Sequence, residues 1–327
     1  MFEERLNPLN DYLFMKYMGE KGDEEQLIAF LNVVLHKTGR DIITLVTILE
    51  NRTISADIVG DKSSVLDIRA EMADGSKVNI EVQLRNVGNM GKRSLFYWSR
   101  EYSEGIESGE DYKKLPNVIT INILGTEFLS LDEIHASFHL WEDNHKDYLL
   151  TDALEMHFID MVKFKRLKSR DIEHNGLHRW LTFFDKNASN ETIKKIIEMD
   201  TAIKKAQDKI MFVAQDKEML HAYRMREMAY YDYKSGMNAA KESGIIIGEE
   251  RGMKKGIVIG EQKGRIKGRA EGKAEGKAEG KAEGKVEGKV EVAINLQHAG
   301  FSVEKIVEYT SLTTEEVVKI LEEQGLI

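Results

Sequence analysis

The chain has 327 residues, with 47 Lys and Arg against 56 Asp and Glu, a formal net charge of −9 at pH 7, and no cysteine. That length buries a substantial core and suits one or two domains with appendages, while the lack of cysteine excludes disulfides and thiolate metal sites and fits a reducing cytoplasm. The acidity excludes bulk attraction to nucleic acid, so any such contact falls to local basic clusters or to metal ions.

Residues 1–10 carry Glu3, Glu4 and Arg5 without an apolar stretch, so no signal peptide is expected. No run of about 18 apolar residues marks a membrane span. By segment the charge is about −8 over 1–243, about +3 over 244–291 and about −4 over 292–327.

Asn10-Asp11 starts a helix containing Leu13, Phe14, Tyr17 and Met18. After Gly22-Asp23, a second helical pattern runs through Leu27, Phe30, Leu31 and Val34. Ile42 to Leu49 is apolar and β-branched, which suits a strand. Val65 to Leu84 then alternates apolar and polar residues on both sides of Asp74-Gly75, the pattern of a hairpin. Paired residues point to one face, so a two-residue loop at 74–75 would mix the faces. A three- or five-residue loop, or a bulge, keeps Asp67, Glu81 and Gln83 together; a loop at 74–76 pairs Asp67 with Gln83 and Arg69 with Glu81. Two readings fit this polar face: a solvated surface partly paired through Arg69, and a divalent-metal site built from two carboxylates and a carbonyl.

Gly88 to Gly91 opens a long helix with Leu95, Phe96, Trp98, Tyr102 and Ile106, which Gly109 ends. Val118 to Leu124 reads as a buried strand, and Ala136–Trp141 and Leu154–Phe164 as strands at the sheet edge. The order predicts a mixed sheet flanked by helices. Leu177 to Tyr233 is helical, with Trp180, Leu181, Phe183 and Phe184 on the core. The pairs His135/His139 and His174/His178 lack a third ligand at metal spacing and read as packed or solvent-facing histidines.

From Gly244 to Gly288 glycine recurs every fourth residue, twelve times, with Ala-Glu-Gly-Lys as the later unit. As a helix, twelve interior glycines would cost roughly 10 kcal/mol relative to alanine. A four-residue period drifts by about 40° per repeat, and Glu–Lys neighbours return only a few tenths of a kcal/mol per pair. A flexible or marginally helical spacer is therefore expected. Residues 292–327 then form a small helix-turn-helix-like unit, with a capping box at Thr313 and Glu316 and an acidity that favours protein contact over DNA reading.

An ordered set of motifs is similar to the recombination-promoting nuclease/transposase (Rpn) family, a branch of the PD-(D/E)XK nuclease superfamily. The set comprises Asn10-Asp11-Tyr12 with Phe14 and Lys16, Phe30-Leu31-Asn32, Leu66-Asp67-Ile68, Asn79-Ile80-Glu81-Val82-Gln83, Arg93-Ser94 with Tyr97, and Gly109-Glu110-Asp111-Tyr112 before Pro116. It covers roughly residues 7–235. The resemblance implies an α/β (α+β) restriction-endonuclease-like core over 1–170 and a helical extension over 171–243. Beyond these lie a Gly-x-x-x spacer over 244–291 and the small helical unit over 292–327.

It also implies a DNA endonuclease that uses Mg²⁺ (or Mn²⁺ or Ca²⁺), linked with recombination, mobile elements or defence. Asp67, Glu81 and Gln83 match the catalytic signature; Asp67, Glu81, the Val82 carbonyl and Asp11 are the implied metal ligands. Gln83 stands where the wider superfamily has lysine and brings no positive charge, so help is expected from Arg69, Lys77, Arg85 or Lys92, with Arg93 and Tyr97 as further DNA contacts. A homodimer or higher oligomer through the C-terminal region is a further expectation, and a non-catalytic DNA-binding or assembly module on the same fold is the alternative.

Overall fold

Asn10 caps the first helix as the sequence predicts: its side-chain oxygen accepts the Leu13 amide at 3.2 Å and opens α1 (Asp11–Met18). The computed structural model describes residues 5–49, 68–85 and 88–327. α2 (Glu25–Val34) is followed by β1 (Val46–Ile48), β2 (Ile68–Met72), β3 (Lys77–Gln83), α3 (Met90–Ser103), β4 (Val118–Leu124), β5 (His135–Trp141) and β6 (Leu149–Asp160). Among the described residues these strands form one six-stranded mixed sheet in the order β1-β2-β3-β4-β6-β5. β1, β2 and β3 pair antiparallel, β4 runs parallel to both β3 and β6, and β5 returns antiparallel along the edge.

The segment expected as an edge strand over 154–164 is different. β6 inserts between β4 and β5 and stops at Asp160. There the Asp160 carboxylate accepts the amides of Val162 and Lys163, each at 2.9 Å, and starts α4 (Met161–Arg166).

The turn between β2 and β3 is the three-residue loop Ala73-Asp74-Gly75. The Gly75 amide donates to the Met72 carbonyl and the Met72 amide to the Ser76 carbonyl, both at 2.9 Å, with Gly75 at φ +81°. A left-handed residue in third place closes a three-residue hairpin, and glycine adopts it without strain. The odd loop keeps the faces apart, since Ile68 pairs with Ile80 and Ala70 with Val78. The loop lies one residue earlier than 74–76, so Arg69 stands opposite Asn79 and not Glu81. Asp67, expected opposite Gln83, lies outside the described residues.

One face of the sheet is apolar. Val78 and Ile80 of β3, Ile119 and Ile121 of β4 and Ile159 of β6 pack beneath α1 and α2, with α5 (Gly176–Phe184), α6 (Asn190–Met199) and α7 (Thr201–Gln215) completing the core. Trp180 is fully buried, with ring centroids 5.7 Å from Phe30 and 5.8 Å from Phe184. The described residues divide into two compact units, Met1–Lys234 and Ser235–Ile327.

The glycine tetrads are helical, one of the two states expected of this segment. α8 (Lys217–His298) runs unbroken through all twelve glycines. Most residues between them are good helix formers, and the helix need not nucleate inside the repeat. At its start Leu220 and Tyr223 join the first core; near its end Ala293 packs with Ile306 of α9 (Val303–Thr310) and with Val317 and Leu321 of α10 (Thr314–Glu323). The Thr313–Glu316 capping box forms as predicted. The expected Glu–Lys support does not hold within Ala-Glu-Gly-Lys, because there opposite charges stand two apart and i,i+4 neighbours are alike. Lys267 and Glu271, just before the regular units, do pair at 3.7 Å.

At the β5–β6 edge the histidines pack against one another. His135 Nε2 lies 2.8 Å from His157 Nδ1, and His157 Nε2 donates to Glu155 Oε1 at 2.8 Å. The carboxylate thereby fixes the His157 tautomer, leaving Nδ1 to accept from His135. His139 lies 3.8 Å from the same Glu155 oxygen, and the His36 ring is 5.9 Å from that of His135. His174 is exposed beside Asp171, and His178 Nδ1 accepts the Asp171 amide. Burial first, then His157 and His36, push the His135 imidazole down to about 4, against the pull of Glu155.

Trp180→Ala should lower the unfolding free energy by about 3–5 kcal/mol in urea titration, the usual cost of emptying a large aromatic site; a loss under 1 kcal/mol would remove Trp180 from the core argument. His135 is neutral when folded but binds a proton when unfolded between its ordinary 6.5 and about 4. Stability should therefore fall as pH drops through that window. His135→Gln should flatten the profile there, and parallel profiles for the two proteins would refute the assignment.

Candidate active site

The other face of the sheet is polar at its centre. Asn79 and Glu81 of β3 lie beside Thr120 and Asn122 of β4, and all four side chains are buried. α3 covers them with one face, because Arg93, Tyr97 and Glu101 recur every fourth residue, with Ser94 and Trp98 alongside. Arg93 donates through Nε and Nη2 to Glu81 Oε1 at 3.0 and 2.9 Å. Its guanidinium lies over the Tyr97 ring, 5.2 Å from the centroid. Ser94 Oγ donates to Asn122 Oδ1 at 2.8 Å, and Trp98 Nε1 is shared between the carbonyls of Val118 and Ala153. At the far end of the helix, Arg69 and Glu101 form a two-pronged ion pair at 2.5 and 2.8 Å.

Glu81 is 4 % exposed. Burial raises its carboxyl above the ordinary carboxylate value, and the Arg93 charge and hydrogen bond pull the other way. Among the described residues its second oxygen, Oε2, is buried without a hydrogen-bond partner, as are Asn79 Oδ1 and Thr120 Oγ1 on the same face. An orphaned carboxylate oxygen among neutral oxygen donors suits a hard divalent cation. Among the described residues no group of three His, Cys, Asp or Glu side chains forms a metal cluster. Asp67, the second carboxylate of the signature, is outside that set.

The remaining expected residues scatter. Gln83 ends β3, and its Nε2 donates to the Arg85 carbonyl at 3.0 Å. Val82 stands opposite Ile123 in the β3–β4 ladder. Asp11 belongs to the helical layer over the apolar face, with its carboxylate 3.8 Å from Arg226. Lys77 opens β3 opposite Glu71, about 13 Å along the strand from Glu81. That distance removes it from the Glu81 site. Lys92 is exposed in the first turn of α3, and the Arg85 guanidinium lies over Tyr233 at 4.6 Å. Arg69 and Arg93, expected as DNA contacts, tie α3 to the sheet, since each meets a carboxylate at close range under partial burial.

Two features escaped the sequence reading. The docking of α3 by Ser94 and Glu101 is the first, and its signal was spacing, with Ser94 four residues before Trp98 and Glu101 eight after Arg93. The second feature is the basic run Lys163-Phe-Lys-Arg-Leu-Lys-Ser-Arg170, visible as five cations in eight residues. It follows Asp160, which shares a row with Leu124 and Gln83 across three strands, so it leaves the sheet at the end where Gln83 sits. Lys163 is anchored on the Leu129 carbonyl, and Arg166 pairs with Glu127. Lys165, Lys168 and Arg170 line a cavity of about 600 Å³ with Asn187, Ser189 and Thr192. Lys165 and Arg170 share the buried Asp185, at 3.8 and 2.9 Å.

Residues 8–240 match the family described as PD-(D/E)XK nuclease family transposase. Neither the curated proteins nor the solved structures yield a match. Among the described residues no helix is long and apolar enough to cross a membrane. With well over half of its length matched, and a six-stranded mixed sheet flanked by helices beneath that match, the chain belongs to the PD-(D/E)XK nuclease family transposases.

Proposed function

We propose that the protein is a metal-dependent DNA endonuclease whose site is built on Glu81, Gln83 and Asp67. The observation that carries this reading is the buried Glu81 carboxylate at the centre of the sheet, with one oxygen engaged by Arg93 and the other without a hydrogen-bond partner among the described residues. Glu81 and Asp67 would hold Mg²⁺, Mn²⁺ or Ca²⁺, with the Val82 carbonyl as a further oxygen donor. When bound, such an ion neutralises charge on the scissile phosphate and acidifies a coordinated water. The chain's own residues set the stage for that chemistry. Arg93 orients Glu81 and lowers the cost of its charge; Gln83, at the strand end, offers an amide that orients water or phosphate through neutral hydrogen bonds.

The substrate's phosphates need cations that the net acidity does not supply. The run from Lys163 to Arg170 meets that need, with Arg85 and Lys92 nearer the strand end. A role in recombination, mobile elements or defence follows from family membership alone. A second reading, a DNA-binding or assembly module that keeps the nuclease fold without cutting, rests on the net charge of −9 and on the neutral Gln83 where the wider superfamily has lysine.

Plasmid nicking in Mg²⁺ should fall by more than about a hundredfold in both Glu81→Gln and Asp67→Ala, because even residues that only support metal ligands are worth 10–100-fold. Calorimetry should show Mn²⁺ binding in the native protein and its loss in these variants. Nicking equal to wild type in both would sink the assignment, whereas no metal binding and no nicking in any of the three would leave the non-cutting module. Lys168→Gln should weaken DNA binding uniformly across sequences and reduce the slope of log K against log salt by about 0.9, one phosphate contact. An unchanged slope would take Lys168 off the DNA path.

A further inference from the structure

The pattern that the nuclease reading leaves unused is the repeat inside α8. From Gly264 the first three positions of the repeat keep their character, and from Gly268 to Glu291 all four do. The residue after each glycine is basic, from Arg265 to Lys289. The next is apolar, from Ile266 through four alanines to Val286 and Val290. The last is Lys267 and thereafter glutamate, from Glu271 to Glu291.

Successive residues of a helix are about 100° apart. The apolar seam is therefore bordered by a basic edge on one side and an acidic edge on the other, with glycine behind. Within each charged edge the neighbours are i,i+4, lysine beside lysine and glutamate beside glutamate, so a lone helix repels itself along both edges. Its seam is also uncovered from Ile266, 71 % exposed, to Val286, 58 % exposed, and only Val290 at its end is half-buried.

A second copy of the chain relieves both faults in one orientation only. We infer that residues 264–291 pair with the same residues of a second copy, parallel and in register, through the seam from Ile266 to Val290. A two-fold axis parallel to the helices brings the basic edge of each chain against the acidic edge of its partner on both sides, as flanking charges do in parallel coiled coils. An antiparallel pair sets lysine against lysine and glutamate against glutamate. The four-residue period exceeds 3.6, so the seam drifts by about 40° per repeat and the two helices wind right-handedly to follow it. The alanines along its middle allow close approach of the axes. This pairing stands independently of the nuclease reading.

The native chain has no cysteine, so single introduced thiols report position without ambiguity. Full-length Ala270→Cys and Val286→Cys should each form a disulfide-linked dimer on mild oxidation when alone. Disulfides that appear only when the two variants are mixed would establish an antiparallel pair and overturn the proposal. In light scattering the native protein should have twice the 37.4 kDa of one chain. A chain with Lys273, Lys277, Lys281 and Lys285 changed to Glu, and one with Glu271, Glu275, Glu279 and Glu283 changed to Lys, should each be monomeric, and an equal mixture should recover the dimer. A native monomer, a charge variant that stays dimeric alone, or a mixture that stays monomeric would each overturn the pairing.

Discussion

A carboxylate buried in the middle of a sheet dictates much of this structure. Glu81 sits on a strand with neighbours on both sides, where an isolated charge would cost several kcal/mol. Arg93 answers it from α3, and the geometry of that pair decides where the helix lies. Once Arg93 is placed, the four-residue spacing brings Glu101 to Arg69, and Ser94 and Trp98 to the β4 side. The helix is therefore docked by the polar contacts of Arg93, Ser94 and Glu101 and by Met90 and Trp98, which pack with Leu124, Leu154, Met156 and Phe158 of the sheet. A helix held by apolar packing alone would slide more easily and would leave the Glu81 carboxylate without its partner.

The two faces of the sheet divide the work. Beneath α1 and α2 the core is apolar and is completed by α5 to α7, so helices far along the chain stabilise strands near its start. On the other face, buried side chains with unpartnered oxygens stand among hydrogen-bonded ones. Beside that polar centre, Leu124, Leu154, Met156 and Phe158 form a second, smaller apolar cluster with Met90. The apolar face supplies the rigidity that lets the polar face hold a strained arrangement of charge.

The distal unit follows a different rule. Its small core of Ala293, Ile306, Val317 and Leu321 is ordinary packing, yet the helix leading into it carries almost no buried side chain through the repeat. Its pattern has charge order without a local partner for that order. Helicity there draws on propensity and on the two packed ends of α8, because glycine every fourth residue weakens the middle.

Periodicity, turn residues and motif order by themselves determined the class of fold, the alternating β2–β3 hairpin with an odd loop, and the Asn10 and Thr313 caps. These are local properties, legible because period and capping chemistry act within a few residues. Tertiary structure alone decided the rest. The φ of Gly75 moved the hairpin register by one loop position and set Arg69 opposite Asn79. Arg69 meets Glu101 and Arg93 meets Glu81, pairings across the fold that make both clamps on α3, and Lys77 stands four residues along β3 from Glu81. Packing at both ends made a helix of a segment whose own composition leaves it marginal. Each of these outcomes depends on which residues meet across the fold, and a one-dimensional pattern carries charge and period but not the partner.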